Sequence, residues 1–184
     1  MNVPSIKTER LSIKLLKPSE AGLMTQFRNR NKQHLTRWEP IKPSGFFTEG
    51  FWEMQLRFAI RDFRNSESAC LAILNRNESQ VIGVCNYTNI VRGTFQSCHL
   101  GYALDVSHEG QGLMSEALEG ANHYMFNEQK LHRIMANYIP GNVRSGNLLR
   151  RLGFIEEGRA RSYLKINGRW EDHILTSLIN PKEI

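Results

Sequence analysis

Two glycines separated by a single residue, Gly110 and Gly112, stand directly before a segment with the periodicity of a helix. The first N–H groups of a helix lack carbonyl partners and point outward at the positive end of the helix dipole. Glycines leave these groups open to a phosphate because they carry no side chain. The loop therefore predicts a pyrophosphate site made of Gly110, Gln111, Gly112, Leu113, Met114 and Ser115.

Three other interpretations of this loop differ in strength. A tight turn into a helix, without any ligand, explains the two glycines about equally well. A nucleoside triphosphate loop requires Gly-x-x-x-x-Gly-Lys-Ser/Thr, which the chain lacks. A dinucleotide fingerprint requires a third glycine, where this chain has Ser115, and an early position in the chain. The functional prediction is therefore an anion site that belongs to neither of these nucleotide-binding motifs.

The composition predicts one cytoplasmic domain over residues 1–184 without a membrane partner. No apolar run approaches the roughly 18–20 residues that cross a bilayer, and the N-terminal segment lacks the apolar centre of a signal peptide. The three cysteines lie in apolar segments, which favours buried free thiols in a reducing compartment over a metal site or a disulfide. These cysteines are Cys70, Cys85 and Cys98.

The net charge of +6 is concentrated in the first third of the chain. Residues 1–64 contain 12 basic and 6 acidic side chains, whereas residues 65–184 contain 12 of each. A basic excess confined to one segment predicts an anionic partner, such as RNA or an acidic protein surface. An ordinary solvated surface explains it about equally well, and sequence-specific binding of nucleic acid is not expected.

The hydrophobic pattern places the glycine loop between a strand and a helix. Alternating apolar residues predict strands at residues 8–16, 68–74, 80–91, 94–106, 132–139, 154–165 and 169–178. The 3.6-residue period predicts helices at 18–30, 48–64, 113–127 and 143–151, with a loop at 33–45. Thr48 and Asn142 are expected as N-caps, Gly153 as a helix terminator, and Val143, Leu148, Leu149 and Leu152 as the apolar face of the last helix. The order βααβββαβαββ predicts an α/β fold in which helices flank one mixed, mostly antiparallel sheet.

This order, with Glu109-Gly-Gln-Gly-Leu-Met after the fourth strand, resembles the Gcn5-related N-acetyltransferases. Asn142-Val-Arg-Ser, followed by Leu152-Gly-Phe-Ile-Glu-Glu-Gly, is similar to the ribosomal-protein branch of that family, in particular its RimJ-like, alanine-specific type. The opening Thr8-Glu-Arg-Leu and the closing Gly168-Arg-Trp-Glu-Asp-His fit the same branch. Two departures are Glu109, where a basic or amide residue is usual, and Met114, where a small one is usual. The Glu109 side chain is expected to turn away from a pyrophosphate.

The resemblance implies a single-domain acetyltransferase fold with acetyl-CoA as cosubstrate and no metal. It implies that the end of the fourth strand, Leu104, Asp105 and Val106, presents main-chain groups to the pantetheine arm. Asn142 is then a hydrogen-bonding partner of the pantetheine. Ser145 is a second cofactor contact and the acid that protonates the departing thiolate. Without the resemblance, these two residues are better explained as a helix cap and an exposed helix serine.

The general base stays open among His99, Tyr102 and Glu157. His99 equally fits a core histidine, and Glu157 fits a structural partner of main-chain N–H groups better than a base. A free α-amine with a pKa of about 7.8 is roughly 30% neutral near pH 7.4, against roughly 0.1% for a lysine. An α-amine therefore needs only a modest base or a water chain. The expected acceptor mouth consists of Trp38, Glu39 and Tyr87, although Trp38 equally fits core packing.

Three functions compete on these observations. The first is acetylation of the N-terminal alanine of a small-subunit ribosomal protein, free or on the ribosome. The second keeps the fold but takes a small amine as acceptor, such as an aminoglycoside, polyamine or amino acid. The third is a ribosome-assembly or RNA-binding factor with a non-catalytic CoA site. The basic first third favours a ribosomal target over a small cation, which would prefer an acidic pocket.

Overall fold

A single eight-stranded sheet runs through the computed structural model, which describes residues 4–183. Its strands are hydrogen-bonded in the order β1-β2-β3-β4-β5-β6-β8-β7, and only β5 and β6 are parallel. The predicted α/β class with a mixed, mostly antiparallel sheet is therefore confirmed. The strands are β1 Ser5–Lys7, β2 Leu11–Lys14, β3 Ala69–Asn75, β4 Val81–Val91, β5 Ser97–Leu104, β6 Arg133–Tyr138, β7 Ile155–Ile166 and β8 Arg169–Ile179.

Helices cover both faces of this sheet and divide its core into two clusters. One cluster packs beneath the first three helices and includes Phe27, Leu56 and Val84. The other packs beneath the last two and includes Leu118 and Leu149. The site described below lies where both clusters end, between β5 and β6. The helices are α1 Ala21–Arg30, α2 Lys32–Thr36, α3 Glu49–Arg64, α4 Leu113–Asn127 and α5 Val143–Arg151.

The local signals for turns and helix ends are confirmed. The Thr48 hydroxyl accepts the N–H of Phe51 at the start of α3, and the Asn142 side chain accepts that of Ser145 in α5. Asn167 and Gly168 both have positive φ, at 42° and 81°, as a tight hairpin turn between β7 and β8 requires. These signals succeed because each depends on a few neighbouring residues.

Three element predictions are wrong. The strand predicted at 8–16 covers only Leu11–Lys14, because residues 8–10 form a turn, closed by the Thr8 N–H to Leu11 carbonyl bond, between β1 and β2. The predicted loop at 33–45 begins inside α2, which is stabilised by the buried side chain of Leu35. Val143 is 64% exposed and does not belong to the apolar face of α5. The strand order consequently contains one more strand, and the helix count one more helix, than predicted.

Candidate active site

A gap opens in the sheet where β5 and β6 diverge. Their ladder runs only from the Ser97–Arg133 pair to the His99–Met135 pair. Beyond it, the N–H of Asp105 donates to the Ile82 carbonyl of β4 at 2.7 Å. Because main-chain groups alternate in direction along an antiparallel strand, those of Tyr102 and Leu104 face away from β4 and into the gap. The gap therefore presents an unpaired strand edge to an amide-containing ligand.

Two of the three residues predicted for this edge are not suited to the role. Asp105 and Val106 use their N–H groups within the protein, since that of Val106 donates to Asn31 Oδ1 at 3.0 Å. The Asp105 carboxylate is buried. Burial alone would raise its pKa, but hydrogen bonds from Ser107, Asn31 and Arg30 hold the pKa well below its usual range. Asp105 thus joins the helix layer to the strand, and Leu104 keeps the predicted role.

The glycine loop has the geometry that an anion site requires. Gly110 and Gly112 have φ values of 76° and 75°, and Gly112 is the N-cap of α4. A Cβ added to Gly110 would meet nothing within 4 Å, and one added to Gly112 only Arg10 Nη2 at 3.7 Å. The side chains of Leu113 and Met114 point into the core, which leaves their N–H groups at the surface of the loop.

Arg10 holds this loop in place, a role that the sequence analysis missed. Its Nη1 donates to the Gln111 carbonyl at 2.9 Å, and its Nε donates to Glu116 Oε2 at 2.6 Å. Glu116 also accepts the Arg10 N–H and the Thr8 hydroxyl. The Thr-Glu-Arg-Leu motif was the available signal, but its contact with a loop a hundred residues later depends on the fold.

Glu109 lies beside the loop, and its carboxylate contacts two side chains. Its carboxylate forms an ion pair with Arg144 in α5 and lies 3.1 Å from His34 Nε2. The side chain is thus held by Arg144 and His34, which fits the expectation that it turns away from a pyrophosphate. Arg144 itself is mostly exposed and lies at the first turn of α5.

The predicted acid and the predicted strand tyrosine meet at the start of α5. Ser145 Oγ lies 2.6 Å from Tyr102 Oη, and burial raises the pKa of Tyr102 to about 12. A tyrosine with this pKa stays protonated at neutral pH and acts as a proton donor rather than as a base. Asn142 caps the helix and lines the same gap, so both of its proposed roles are compatible.

A cavity of about 930 Å³ connects the glycine loop, the gap and the first helices. A volume of this size suits a large ligand rather than a single small ion. Of the predicted site residues, the cavity is lined by Trp38, Glu39, Tyr102, Leu104, Gly110, Gly112, Leu113, Met114, Ser115, Asn142 and Ser145. Its wall also includes Arg28, Asn86, Asn137 and His173, which sequence analysis did not single out.

Besides Asp105 and Val106, three predicted residues lie away from the cavity, and the side chain of a fourth turns from it. Tyr87 is fully buried and its hydroxyl donates to Asn122, so its place at the acceptor mouth is wrong. His99 does not line the cavity, and burial lowers its pKa. Glu157 binds Arg133 and Ser177 on an outer strand, and the hydrogen bond from Arg133 lowers its pKa. The Gln111 side chain points to the Ser107 carbonyl, away from the cavity.

The α1–α3 side of the cavity is walled by an ion-pair cluster. Arg28 is buried against aromatic rings, and its Nη1 lies 3.0 Å from Glu39 Oε1. Lys42 Nζ lies 2.5 Å from the other carboxylate oxygen. The hairpin turn reaches this wall as well, because the Asn167 N–H donates to the Glu39 carbonyl at 3.0 Å. The hairpin and the first helices thus meet over the cavity.

An unpaired strand edge beside a glycine-capped helix, with a donor pair between them, suits an acyltransferase that uses a diphosphate-linked thioester. Residues 10–155 match the family model described as an acetyltransferase (GNAT) domain. The chain therefore belongs to the GNAT acetyltransferase family, and the predicted class, an acetyl-CoA-dependent N-acetyltransferase, is confirmed.

Individual relatives and a solved structure are also similar to this chain. The [Ribosomal protein uS5]-alanine N-acetyltransferase of Escherichia coli (strain K12) is 42% identical over 98% of this chain and 94% of its own length. The ribosomal-protein-serine acetyltransferase of E. coli is 32% identical over 52% of each chain. The crystal structure of ribosomal-protein-S5-alanine acetyltransferase from Vibrio fischeri superposes with a TM-score of 0.92, at 40% identity over 97% of both chains.

Acetyl-CoA is the cosubstrate of this site. The loop N–H groups suit its diphosphate, and the main-chain edge at Tyr102 and Leu104 suits the amides of its pantetheine arm. Within residues 4–183, no group of three or more His, Cys, Asp or Glu side chains is placed to hold a metal ion. No helix in the same part of the chain has the length and apolar character to cross a membrane.

Proposed function

We propose that this protein transfers the acetyl group of acetyl-CoA to the N-terminal alanine of ribosomal protein uS5. The observation that carries the proposal is the full-length similarity to the E. coli enzyme with that acceptor. An enzyme that acts on this ribosomal protein would work in the cytoplasm, where ribosomes are. The basic first third of the chain, with Lys32 and Arg37 exposed beside the cavity, suits a target near ribosomal RNA.

The shape of the acceptor side supports a chain terminus as the acceptor. The hairpin turn and the α2–α3 connection are joined by the Asn167–Glu39 hydrogen bond, and Gly168 lies against Ile41. An acceptor side bounded in this way suits an extended N-terminal segment better than a folded surface. An α-amine is also neutral far more often than a lysine side chain at neutral pH, so it attacks the thioester with less assistance.

The charge of the acceptor wall gives little support to a small polycation. The one carboxylate identified in that wall, Glu39, is already paired with Arg28 and Lys42. An aminoglycoside or polyamine would have to compete with these two cations for it. The peptide acceptor needs no such competition because its single charge is lost before the reaction.

The proposal is tested by measuring release of free thiol from acetyl-CoA with a panel of acceptors. The panel contains a peptide that matches the mature N terminus of the organism's own uS5, the same peptide with serine in place of its first alanine, its N-terminally blocked form and spermidine. We expect the alanine peptide to be the best acceptor and the blocked peptide to be inert. Turnover of spermidine above that of every peptide would contradict the proposal.

The cellular target is identified by mass spectrometry of ribosomal proteins from a deletion strain. A decrease of one acetyl group on uS5 alone is the expected result. A catalytically inactive variant expressed in that strain is the control, because it separates acetylation from an assembly role. Restoration of a ribosome-assembly defect by the inactive variant would favour the non-catalytic alternative.

A further inference from the structure

We propose that His173 is the general base that removes the proton from the attacking amine. This inference rests on the proposed acetylation of an amine and names the group that its chemistry still requires. His173 lies in β8, is 4% exposed and lines the cavity. A positioned imidazole within reach of the reacting nitrogen is the most common proton acceptor in enzymes.

The hydrogen bond of the His173 ring selects the correct tautomer. Nδ1 lies 3.0 Å from the carbonyl oxygen of Glu171, so Nδ1 must carry the proton that it donates. It is the ring's only hydrogen bond to another described residue. In the neutral ring the proton therefore lies on Nδ1, and Nε2 is the nitrogen left to accept one. The Tyr163 ring also packs against the imidazole, with 5.5 Å between the two ring centroids.

The position of His173 in β8 places it on the acceptor face of the sheet. Tyr138 packs beneath Gly146 of α5, where an added Cβ would lie 2.8 Å from the ring. Ile174 is opposite Tyr138 in the β6–β8 ladder and shares that face. His173 precedes Ile174 and therefore points to the other face, that of α1–α3. The amine would thus meet the base on one side of the gap while the cofactor enters from the other.

The carboxylates and the second imidazole of the cavity wall are already committed. His34 Nε2 faces Glu109, and the Glu39 carboxylate is paired with two cations. The pKa of Tyr102 is raised to about 12 by burial, which makes that group a donor. His173 is the remaining imidazole that lines the cavity among residues 4–183.

The proton balance of the reaction assigns one step to each end of the site. As the nitrogen forms a bond to the carbonyl carbon of the thioester, its proton passes to His173 Nε2. As the C–S bond breaks, the thiolate takes a proton from the Tyr102–Ser145 hydroxyl pair. The imidazolium then returns its proton to that pair through water. One amine and one thioester thus give one amide and one thiol, with no other reactant.

The first test compares His173→Gln with His123→Gln, which alters an exposed imidazole on α4. We expect kcat to decrease about 100-fold in His173→Gln, within the usual range for a general base, with KM for the peptide changed less than threefold. Acetyl-CoA affinity by calorimetry should stay the same. Imidazole added to His173→Ala should restore turnover in proportion to its concentration. The control variant should match the wild type in every measurement.

Two outcomes would overturn the assignment. One is turnover of His173→Gln within threefold of the wild type, and the other is a loss that appears only in KM and does not respond to imidazole. A second measurement does not depend on the folding of a variant. Long-range ¹H–¹⁵N spectra of the wild type should show His173 as the Nδ1–H tautomer, and the opposite tautomer would contradict the proposal.

The base assignment and the acceptor assignment fail in different ways. If the wild type acetylates spermidine rather than the alanine peptide, the proposed function is wrong. The same variants are then compared with spermidine as acceptor. His173 retains its assignment if the loss of kcat and the imidazole rescue appear there, and loses it if they do not.

Discussion

The hydroxyl oxygens of Tyr102 and Ser145 lie 2.6 Å apart, with the tyrosine on β5 and the serine in the first turn of α5. The pair joins β5 to the helix that follows β6, and so connects the two sides of the gap between these strands. We propose that the thiolate takes its proton from this pair, so that the acid is formed by two residues rather than by one.

Removal of either hydroxyl should slow the departure of the thiolate. We expect Ser145→Ala to lower kcat at least tenfold, and Tyr102→Phe to lower it similarly, with acetyl-CoA affinity changed less than threefold. The double variant should be no slower than the slower single variant, because residues that act as a unit are not additive. Steady-state kinetics with Tyr124→Phe as control checks this, and unchanged kcat in Ser145→Ala would remove it from the acid role.

Replacement of Gly112 should block the diphosphate. Gly112→Val places a branched side chain in the open space over the loop N–H groups, so acetyl-CoA affinity should decrease at least tenfold. Gly93→Val is the matched control, since Gly93 has a φ of 72° and no atom within 4 Å of an added Cβ but lies in a remote turn.

Both valine variants should lose folding stability by about 1–2 kcal/mol, because both force a side chain into the left-handed region. Calorimetry with CoA and chemical unfolding separate the two effects. Equal CoA affinity in Gly112→Val and Gly93→Val would show that the loop does not hold the diphosphate.

Charge balance at the loop should depend on Arg144. In Arg144→Gln, the carboxylate of Glu109 loses its cation partner in α5, so its negative charge should oppose the diphosphate and weaken CoA binding severalfold. The double variant Arg144→Gln/Glu109→Gln should recover most of that loss. Titration at low and at high salt checks the electrostatic origin. Arg150→Gln, which alters an exposed arginine of the same helix, serves as control, and a double variant as weak as the single one would contradict the account.

Glu78 should stabilise the protein in a pH-dependent manner. It binds Lys7, Ser12 and Lys14, and the hydrogen bond from Lys14 contributes most to lowering its pKa to about 2. The folded pKa lies below the unfolded value of about 4.3, so the stabilisation is present above pH 4.3 and is lost as the pH falls towards 2.

At pH 7, Glu78→Gln should therefore lower the free energy of unfolding by about 1 kcal/mol, after allowance for solvent screening. The difference from the wild type should vanish near pH 2. Glu53→Gln, which breaks a single exposed pair with Arg57, should change stability by only a few tenths of a kcal/mol. Chemical unfolding across this pH range provides the measurement, and a pH-independent difference would contradict the assignment.

Local signals in the chain were sufficient for the secondary structure around the site. Helix α4 starts after Gly112 and helix α5 is capped by Asn142. Both features depend on residues within one turn, so a short stretch of sequence is enough to predict them. The break between β1 and β2 was not predicted. There, a hydrogen bond from Thr8 closes a turn, although the alternation of apolar and polar residues favours a continuous strand. Helix α2 was not predicted for a similar reason, since burial of Leu35 in the tertiary structure stabilises a helix that helix propensity alone does not predict.

The roles of individual side chains were likewise predictable only where a local motif indicates them. Ser145 and the glycine loop were accessible from motifs, whereas Tyr87 carries no signal that distinguishes a core tyrosine from one at a mouth. Arg10 reaches Gln111 and Glu116 only because β2 and α4 pack together. His173 faces the cavity because of its register with β6, and register is decided by strand pairing over long range.

The amino-acid sequence by itself determined most of the element order, from which the fold class was predicted, the glycine loop and the helix cap, because each of these elements follows from patterns within a few residues. Only the tertiary structure decided which strand edge is unpaired, which tyrosine meets Ser145 and which imidazole faces the acceptor. Those choices depend on packing between segments that are 40 to 100 residues apart, and the energy of such packing is not contained in any local pattern.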